Sequence, residues 1–127
     1  MKSTEFSRVV LMVGDFEDGG VERNFTHLAS GLARLRVRTW LLTERTRHPY
    51  LEDLDDSVRI LPVAGGRRPF LESFVTRERP HVLLTGKLAD DFAAVRVRSD
   101  LGHQWPAETR LVAAVGTPLS GRLAAHR

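Results

Sequence analysis

A pair of glycines between the first predicted strand and the first predicted helix could bind an anion. Gly19 and Gly20 close the segment at residues 14–20 (GDFEDGG), directly before a helical pattern. The first amides of a helix lack internal partners, and glycine lets a ligand approach them closely. Three acidic residues in the segment disfavour a bare phosphate and favour a ligand with hydroxyl groups or a sugar. A tight turn with close helix–sheet packing explains the two glycines equally well.

Glycines also follow two other predicted strands. Gly86 and Lys87 follow an apolar run at residues 81–85, and Gly116 and Thr117 follow another at residues 110–115. In open parallel sheets, ligands bind at the carboxyl ends of the strands. We therefore expect the glycine-bearing loops to face one ligand site.

Several other kinds of reactive site are excluded by the sequence. It has no cysteine, which rules out a disulfide scaffold, a thiolate zinc site and a cysteine nucleophile. The five histidines lack metal-ligand spacing. Neither a P-loop nor a GxGxxG loop nor a G-x-S-x-G elbow is present. No catalytic residue, metal or cofactor is therefore predicted.

Apolar patterns predict the elements that position these loops. Five short apolar runs predict buried strands, at residues 8–13, 37–43, 58–63, 81–85 and 110–115. Helical spacing predicts helices at residues 21–35, 67–79 and 87–98, one turn within 44–56, and another helix from 118 to 127. The alternation predicts one doubly wound, mainly parallel α/β sheet with helices on both faces.

The same spacing predicts which helix faces are buried. The apolar residues of the first helix that share one face are Val21, Phe25, Leu28, Ala29, Leu32 and Leu35. Its polar face would carry Glu22, Arg23, Thr26, Ser30 and Arg34. In the helix at residues 87–98, the apolar face would be Leu88, Phe92 and Val95. We also expect Trp40 in the core and Trp105 in a partly exposed loop.

Composition and charge indicate a single globular domain. The chain has 127 residues, of which 42% are apolar and 28% charged. No apolar run approaches the roughly 18 residues of a membrane-spanning helix, and the polar start lacks a signal core. Basic and acidic residues are interleaved, which predicts a solvated surface and no nucleic-acid partner. We expect a tail at residues 1–7, a domain at residues 8–127, and a location in the cytoplasm or at the periphery of the inner membrane.

Several segments resemble the opening of a family 4 glycosyltransferase of the GT-B fold. Residues 19–23 (GGVER) resemble that family's glycine-rich turn, and residues 79–84 (RPHVLL) resemble its RPDVVL segment. Residues 116–120 (GTPLS) resemble its His-x-Pro-Leu-Ser segment, with Gly116 in place of the histidine. The resemblance covers about residues 8–120.

The resemblance implies the Rossmann-like, acceptor-side N-terminal domain of a retaining, metal-independent hexosyltransferase. Its partners would be a carbohydrate or lipid-linked acceptor and, with a second domain only, a nucleotide diphosphate sugar. These 127 residues hold one domain, so the isolated chain is predicted to be inactive. The implied substrate-binding residues are Gly19, Gly20, Val21, Arg23, Gly86, Lys87, Gly116 and Thr117.

A second hypothesis is a stand-alone Rossmann-like module. Such a module would bind a nucleotide or a partner subunit, or would cover its exposed face by forming a homo-oligomer. A receiver-like switch domain is disfavoured, because the third predicted strand ends in residues 62–65 (PVAG) and offers no aspartate for phosphorylation.

Overall fold

A five-stranded parallel sheet forms the centre of the computed structural model, which describes residues 7–114. The strands are β1 (Arg8–Met12), β2 (Arg38–Thr43), β3 (Arg59–Pro62), β4 (Val82–Thr85) and β5 (Arg110–Ala113), in the order β3-β2-β1-β4-β5. All four pairings are parallel. Residues 1–6 and 115–127 lie outside the described residues, and with them most of the predicted tail, the predicted C-terminal helix, Gly116 and Thr117.

Helices cover both faces of the sheet. They are α1 (Gly20–Arg34), α2 (Pro49–Glu52), α3 (Arg67–Glu78) and α4 (Leu88–Leu101), which a 3-10 turn (Gly102–Gln104) follows. One layer of core joins α1 and α2 to the sheet, and the other joins α3 and α4 to its opposite face. The predicted doubly wound, Rossmann-like α/β fold is confirmed.

The topology places a crevice at the centre of the sheet. From β1 the chain winds outward through β2 to β3, and α3 then carries it back across the sheet to β4. Strand β1 therefore pairs with β2 on one side and β4 on the other, with Val10 in register with both Trp40 and Leu83. Such a reversal of strand order opens a crevice at the carboxyl ends of the two central strands.

The core forms because the central strands are apolar on both faces. Val10, Leu11 and Met12 in β1 are fully buried. Trp40 lies in the core as predicted and meets Phe74 of α3 edge to face, with ring centroids 5.4 Å apart. Trp105 is half-buried and packs against the same core layer.

The buried face of α1 differs from the prediction. Leu28 and Leu35 are 43% and 76% exposed. Phe25 and Ala29 of the predicted face are buried against the sheet as expected, and Ala33 joins them, so that two small side chains let the helix approach closely. Glu22, Thr26 and Ser30, which were predicted on the exposed face, are buried. Each of these polar side chains makes a hydrogen bond, as burial requires.

The predicted face of α4 is also wrong. Leu88, Phe92 and Val95 are 51%, 63% and 55% exposed. Ala93, Ala94 and Val97 face the core, because the close packing of α4 against α3 and the sheet admits small side chains. The helix also runs beyond the predicted end at residue 98, since Leu101 still packs on the core, and Gly102 ends it with a φ of 54°.

We expect substitutions at two glycines near α1 to have opposite effects. A Cβ at Gly86 would lie 2.7 Å from Cζ of Phe25 and 2.9 Å from Cγ1 of Val21. Gly86→Ala should therefore lower the free energy of unfolding by about 1–3 kcal/mol through overpacking. Gly31 lies inside α1, and a Cβ added there would meet no neighbouring atom within 4 Å. Gly31→Ala should therefore raise the free energy of unfolding by about 0.5–1 kcal/mol. Urea denaturation measures both, and equal stabilities would contradict the packing described.

Candidate functional site

The carboxyl edge of the sheet brings three loops together. The loop from β1 to α1 contacts the end of β2, where the amide of Glu44 donates to the carbonyl of Gly14 over 2.9 Å. It also contacts the end of β4, where Nζ of Lys87 donates to the carbonyl of Asp15 over 2.6 Å. Of the predicted site residues, those that lie around this edge are Gly19, Gly20, Val21, Gly86 and Lys87.

A buried ion pair joins Lys87 to Glu22, a residue that the sequence reasoning had placed on the exposed face. The Glu22 side chain is 1% exposed and its carboxylate accepts from the ammonium of Lys87. It also accepts from the amide of Glu17 over 2.8 Å, while Oε1 of Glu17 lies 3.2 Å from Nζ of Lys87. A signal for Glu22 was available, because glutamate three residues after a helix N-cap characteristically binds back to the preceding backbone.

The pKa values of this pair follow from its burial and its contacts. Burial alone would raise the pKa of Glu22, but the Lys87 ammonium and the Glu17 amide outweigh it and hold that pKa below its ordinary value. Burial alone would lower the pKa of Lys87, but its two carboxylate partners hold that pKa above its ordinary value. Both groups are therefore charged at neutral pH, and each compensates the other.

A second buried carboxylate fixes the start of the loop. Asp90 of α4 is fully buried; it accepts from the amide of Gly14 over 3.0 Å and from Nε of Arg67 over 2.8 Å. Burial raises the pKa of Asp90 in spite of these two donors. Arg67 also contacts Asp15 at 3.0 Å and Glu44 at 3.9 Å. No local sequence pattern marks Asp90 as buried, because its partners Gly14 and Arg67 lie 76 and 23 residues away along the chain.

The N-terminus of α1 is closed on one side and open on the other. A Cβ at Gly19 would lie 2.9 Å from Oε1 of Glu22, so the buried carboxylate occupies that side. No atom lies within 4 Å of the Cβ position of Gly20. A ligand can therefore reach the first amides of α1 from the Gly20 side, where the positive end of the helix dipole favours an anion.

An opening of about 260 Å³ lies beside this terminus, at the carboxyl ends of β1 and β2. Its lining residues are Gly14, Asp15, Phe16, Glu17, Glu44 and Arg45. The side chain of Glu44 is 43% exposed and only loosely paired with Arg67, so its carboxylate can accept hydrogen bonds from a ligand. Arg45 is engaged, because its Nη1 donates to the carbonyl of Phe16 over 3.2 Å.

Arg23 takes no part in this arrangement. Its guanidinium lies 5.5 Å from the ring centroid of Tyr50, and its Nη2 donates to the Tyr50 hydroxyl over 3.4 Å. Together with His27, both residues line a separate groove of about 550 Å³ between α1 and α2. Gly116 and Thr117 lie outside the described residues, so their predicted contacts stay predictions.

Two kinds of feature were not found among residues 7–114. They contain no group of three or more histidine, aspartate or glutamate side chains that could hold a metal ion. No helix in this part of the chain is long and apolar enough to cross a membrane.

Comparisons with known proteins show the fold. No protein-family model and no curated protein matches the chain. It is similar to a crystal structure of an ethylated short-chain dehydrogenase/reductase from Veillonella parvula DSM 2008, with a TM-score of 0.58 and 17% identity over 90% of this chain. It is also similar to a short-chain dehydrogenase/reductase from the same organism in complex with NADP, with a TM-score of 0.55 and 16% identity over 90% of this chain. The chain spans 50% of the length of each of these structures.

These comparisons correct the predicted family. The prediction of a family 4 glycosyltransferase of the GT-B fold, and with it hexosyltransferase activity, is wrong, because the matching structures are short-chain dehydrogenases/reductases. The segments behind the resemblance are a glycine turn, an amphipathic helix and buried strands, which many doubly wound sheets need. Because the predicted family is wrong, the predicted nucleotide-sugar donor and the predicted carbohydrate or lipid-linked acceptor are no longer supported. The prediction of a Rossmann-like fold is confirmed.

We expect the Lys87→Met substitution to destabilise the protein by about 3 kcal/mol, because it leaves the buried Glu22 carboxylate without a cation. The lowered pKa of Glu22 means that its ionised form contributes stability above its ordinary pKa of 4.5, and that this contribution is lost as the pH falls through the folded-state pKa. The difference between wild type and variant should therefore shrink on acidification, in denaturant titrations at several pH values.

Arg68→Met is the matched control for this substitution. Arg68 pairs with Asp100 at 2.7 Å, but both side chains are largely exposed. Loss of this ion pair should lower the free energy of unfolding by less than about 1 kcal/mol. Equal effects of the two substitutions, or a Lys87→Met effect that does not change with pH, would contradict the role given to the buried pair.

Proposed function

We propose that the chain is a nucleotide-binding module that binds a ribonucleotide at the carboxyl edge of its sheet. The phosphates would lie against the first amides of α1, on the open Gly20 side. The ribose would lie over the opening between residues 14–17 and Glu44. The fold supports this placement, since open α/β sheets bind ligands where the strand order reverses.

The observation that carries the proposal is the position of Glu44. It follows β2 directly and is partly exposed beside the opening. In dinucleotide-binding folds, an acidic residue roughly 20 positions after the glycine turn accepts hydrogen bonds from the ribose hydroxyls. Glu44 has that position relative to Gly20. The carboxylate therefore favours a free ribose diol.

The charge around the opening defines the ligand further. Asp15, Glu17 and Glu44 line it and outnumber its one lining cation, Arg45, which donates to the carbonyl of Phe16. An additional phosphate on the ribose would meet these carboxylates and be repelled. We therefore expect a ribonucleotide without a 2′-phosphate to bind better than one that carries it. The similarity to a structure in complex with NADP supports nucleotide binding as a class, and the acidic opening argues for the unphosphorylated ribose.

The chemistry of the site favours binding over catalysis. Lys87 and Arg67 both contact the glycine loop, and the buried carboxylates of Glu22 and Asp90 already compensate them. Proton transfer needs a group whose pKa lies near the working pH. The pKa of Lys87 is raised and that of Glu22 is lowered, so both shifts lead away from neutral pH. Burial raises the pKa of Asp90, but the Gly14 amide and Arg67 already occupy its carboxylate.

Calorimetric titration of the chain with ADP, 2′-deoxy-ADP, NAD and NADP tests the proposal. We expect ADP and NAD to bind, and 2′-deoxy-ADP and NADP to bind roughly tenfold more weakly. The 2′-deoxy-ADP lacks the hydroxyl that would donate a hydrogen bond to Glu44, and NADP carries an additional phosphate that the carboxylates repel. Equal binding of ADP and 2′-deoxy-ADP would contradict the role of Glu44. An absence of binding by all four ligands would contradict the proposed function.

Two variants locate the site. Gly20→Val should weaken ADP binding roughly tenfold or more by blocking approach to the helix amides, while Gly31→Ala on the same helix should leave it unchanged. Glu44→Gln should reduce the discrimination against NADP, because Asp15 and Glu17 remain at the opening, whereas Glu78→Gln at the far end of α3 should leave it unchanged. Loss of binding in both control variants would point to a general loss of folding, which circular dichroism checks.

A further inference from the structure

Asp18 lies directly before the glycine pair of Gly19 and Gly20, yet its carboxylate does not contact the start of α1. Gly19 is the N-cap of α1 and offers no side chain to the helix amides. Aspartate is among the side chains that cap such amides best, and negative charge is favoured at this end of a helix. The Asp18 carboxylate is instead hydrogen-bonded to His48, which precedes α2. The first amides of α1 are therefore left without this carboxylate.

The surroundings of His48 hold its ring in one orientation. The side chain is 4% exposed, and its Nδ1 accepts from the amide of Tyr50 over 3.1 Å as the N-cap of α2. Because Nδ1 is an acceptor, Nε2 carries the ring proton and donates to Oδ1 of Asp18. The fully buried Phe16 meets the imidazole edge to face, with ring centroids 4.9 Å apart. The ring is thus a fixed donor beside the glycine pair.

The position of the Asp18 carboxylate depends on this one donor. The Asp18 side chain is 89% exposed, and within residues 7–114 its carboxylate makes no hydrogen bond or ion pair other than the contact with His48. The Asp18 backbone is held separately, since its carbonyl accepts from the Tyr50 hydroxyl over 3.3 Å. Loss of the His48 contact would therefore free the side chain to rotate while the backbone beside Gly19 stays in place.

We propose that His48 is a positioning residue that keeps the Asp18 carboxylate away from the anion position at the start of α1. This inference rests on the proposed function, which assigns that position to the phosphates of a nucleotide. A freed Asp18 carboxylate would approach the same amides from the open Gly20 side, where no atom lies within 4 Å of the Cβ position. It would accept from these amides and repel the phosphates. Asp18 is thus a competitor within the chain, and His48 holds it aside.

Calorimetric titration of His48 variants with ADP tests this inference. In His48→Asn, the asparagine can still accept from the Tyr50 amide as an N-cap, but it is too short to replace the donor to Asp18. We expect this variant to bind ADP roughly fivefold more weakly than wild type. Adding Asp18→Ala to it should restore binding, because the competing carboxylate is gone. His103→Asn is the control and should bind like wild type, since His103 is exposed in the turn after α4.

The double variant separates positioning from a merely structural role. If His48 only kept the loop folded, removal of the Asp18 carboxylate could not restore ADP binding, so a double variant as weak as His48→Asn would overturn the inference. His48→Phe is a second test, because it loses the cap but keeps a ring against Phe16. The two His48 variants share the loss of the donor to Asp18, so both should weaken binding. ADP binding as in wild type by both variants would also overturn the inference.

Amide chemical shifts of the free chain give a readout that needs no nucleotide. In the ¹⁵N-labelled His48→Asn variant, the amide protons of Gly20 and Val21 should move downfield as they donate to the freed carboxylate. The double variant with Asp18→Ala should lose this shift. Amide shifts at Gly20 and Val21 that match wild type in His48→Asn would overturn the inference, whether or not ADP binds. A wild type that binds no ADP would instead contradict the proposed function.

Discussion

The ion pair of Lys87 and Glu22 is the contact on which the carboxyl edge of the sheet depends. Helix α1 packs closely enough on the sheet to bury the Glu22 carboxylate, and a buried carboxylate needs a cation and further donors. Lys87 supplies the cation from the junction of β4 and α4, and Glu17 supplies an amide. Gly86, next to Lys87, lets the junction approach Phe25 of α1. The pair therefore ties the glycine loop to both central strands.

The second buried carboxylate acts on the same loop from its other end. Asp90 holds the amide of Gly14, and Arg67 connects Asp90 to the carboxylates of Asp15 and Glu44. Between them, the two networks engage Lys87 and Arg67, while Arg45 donates to the carbonyl of Phe16. What they leave available is the open side of Gly20 and the partly exposed carboxylate of Glu44. This remainder suits the binding of a phosphate and a ribose diol.

Much of the fold could be predicted from the sequence, because it depends on local pattern. Largely apolar runs such as residues 8–13 form the strands, and glycines mark the carboxyl ends of β1 and β4. Helix faces were harder, since apolar spacing cannot show that Ala93 and Ala94 fit against the sheet where Phe92 would not. Asp90 was missed as a buried group because its partners lie far away along the chain. Glu22 was missed although its position three residues after the N-cap of α1 is a local signal. The family was misjudged because the segments that suggested it are ones a doubly wound sheet commonly requires.

Amide chemical shifts would locate the ligand most directly. In a titration of the ¹⁵N-labelled chain with ADP, the largest shifts are expected at the amides of Gly14, Gly20, Val21 and Glu44, which surround the opening and the start of α1. Shifts that instead cluster in the groove between α1 and α2, around His27 and Tyr50, would contradict a nucleotide site at the carboxyl edge. So would a spectrum that ADP leaves unchanged at millimolar concentration.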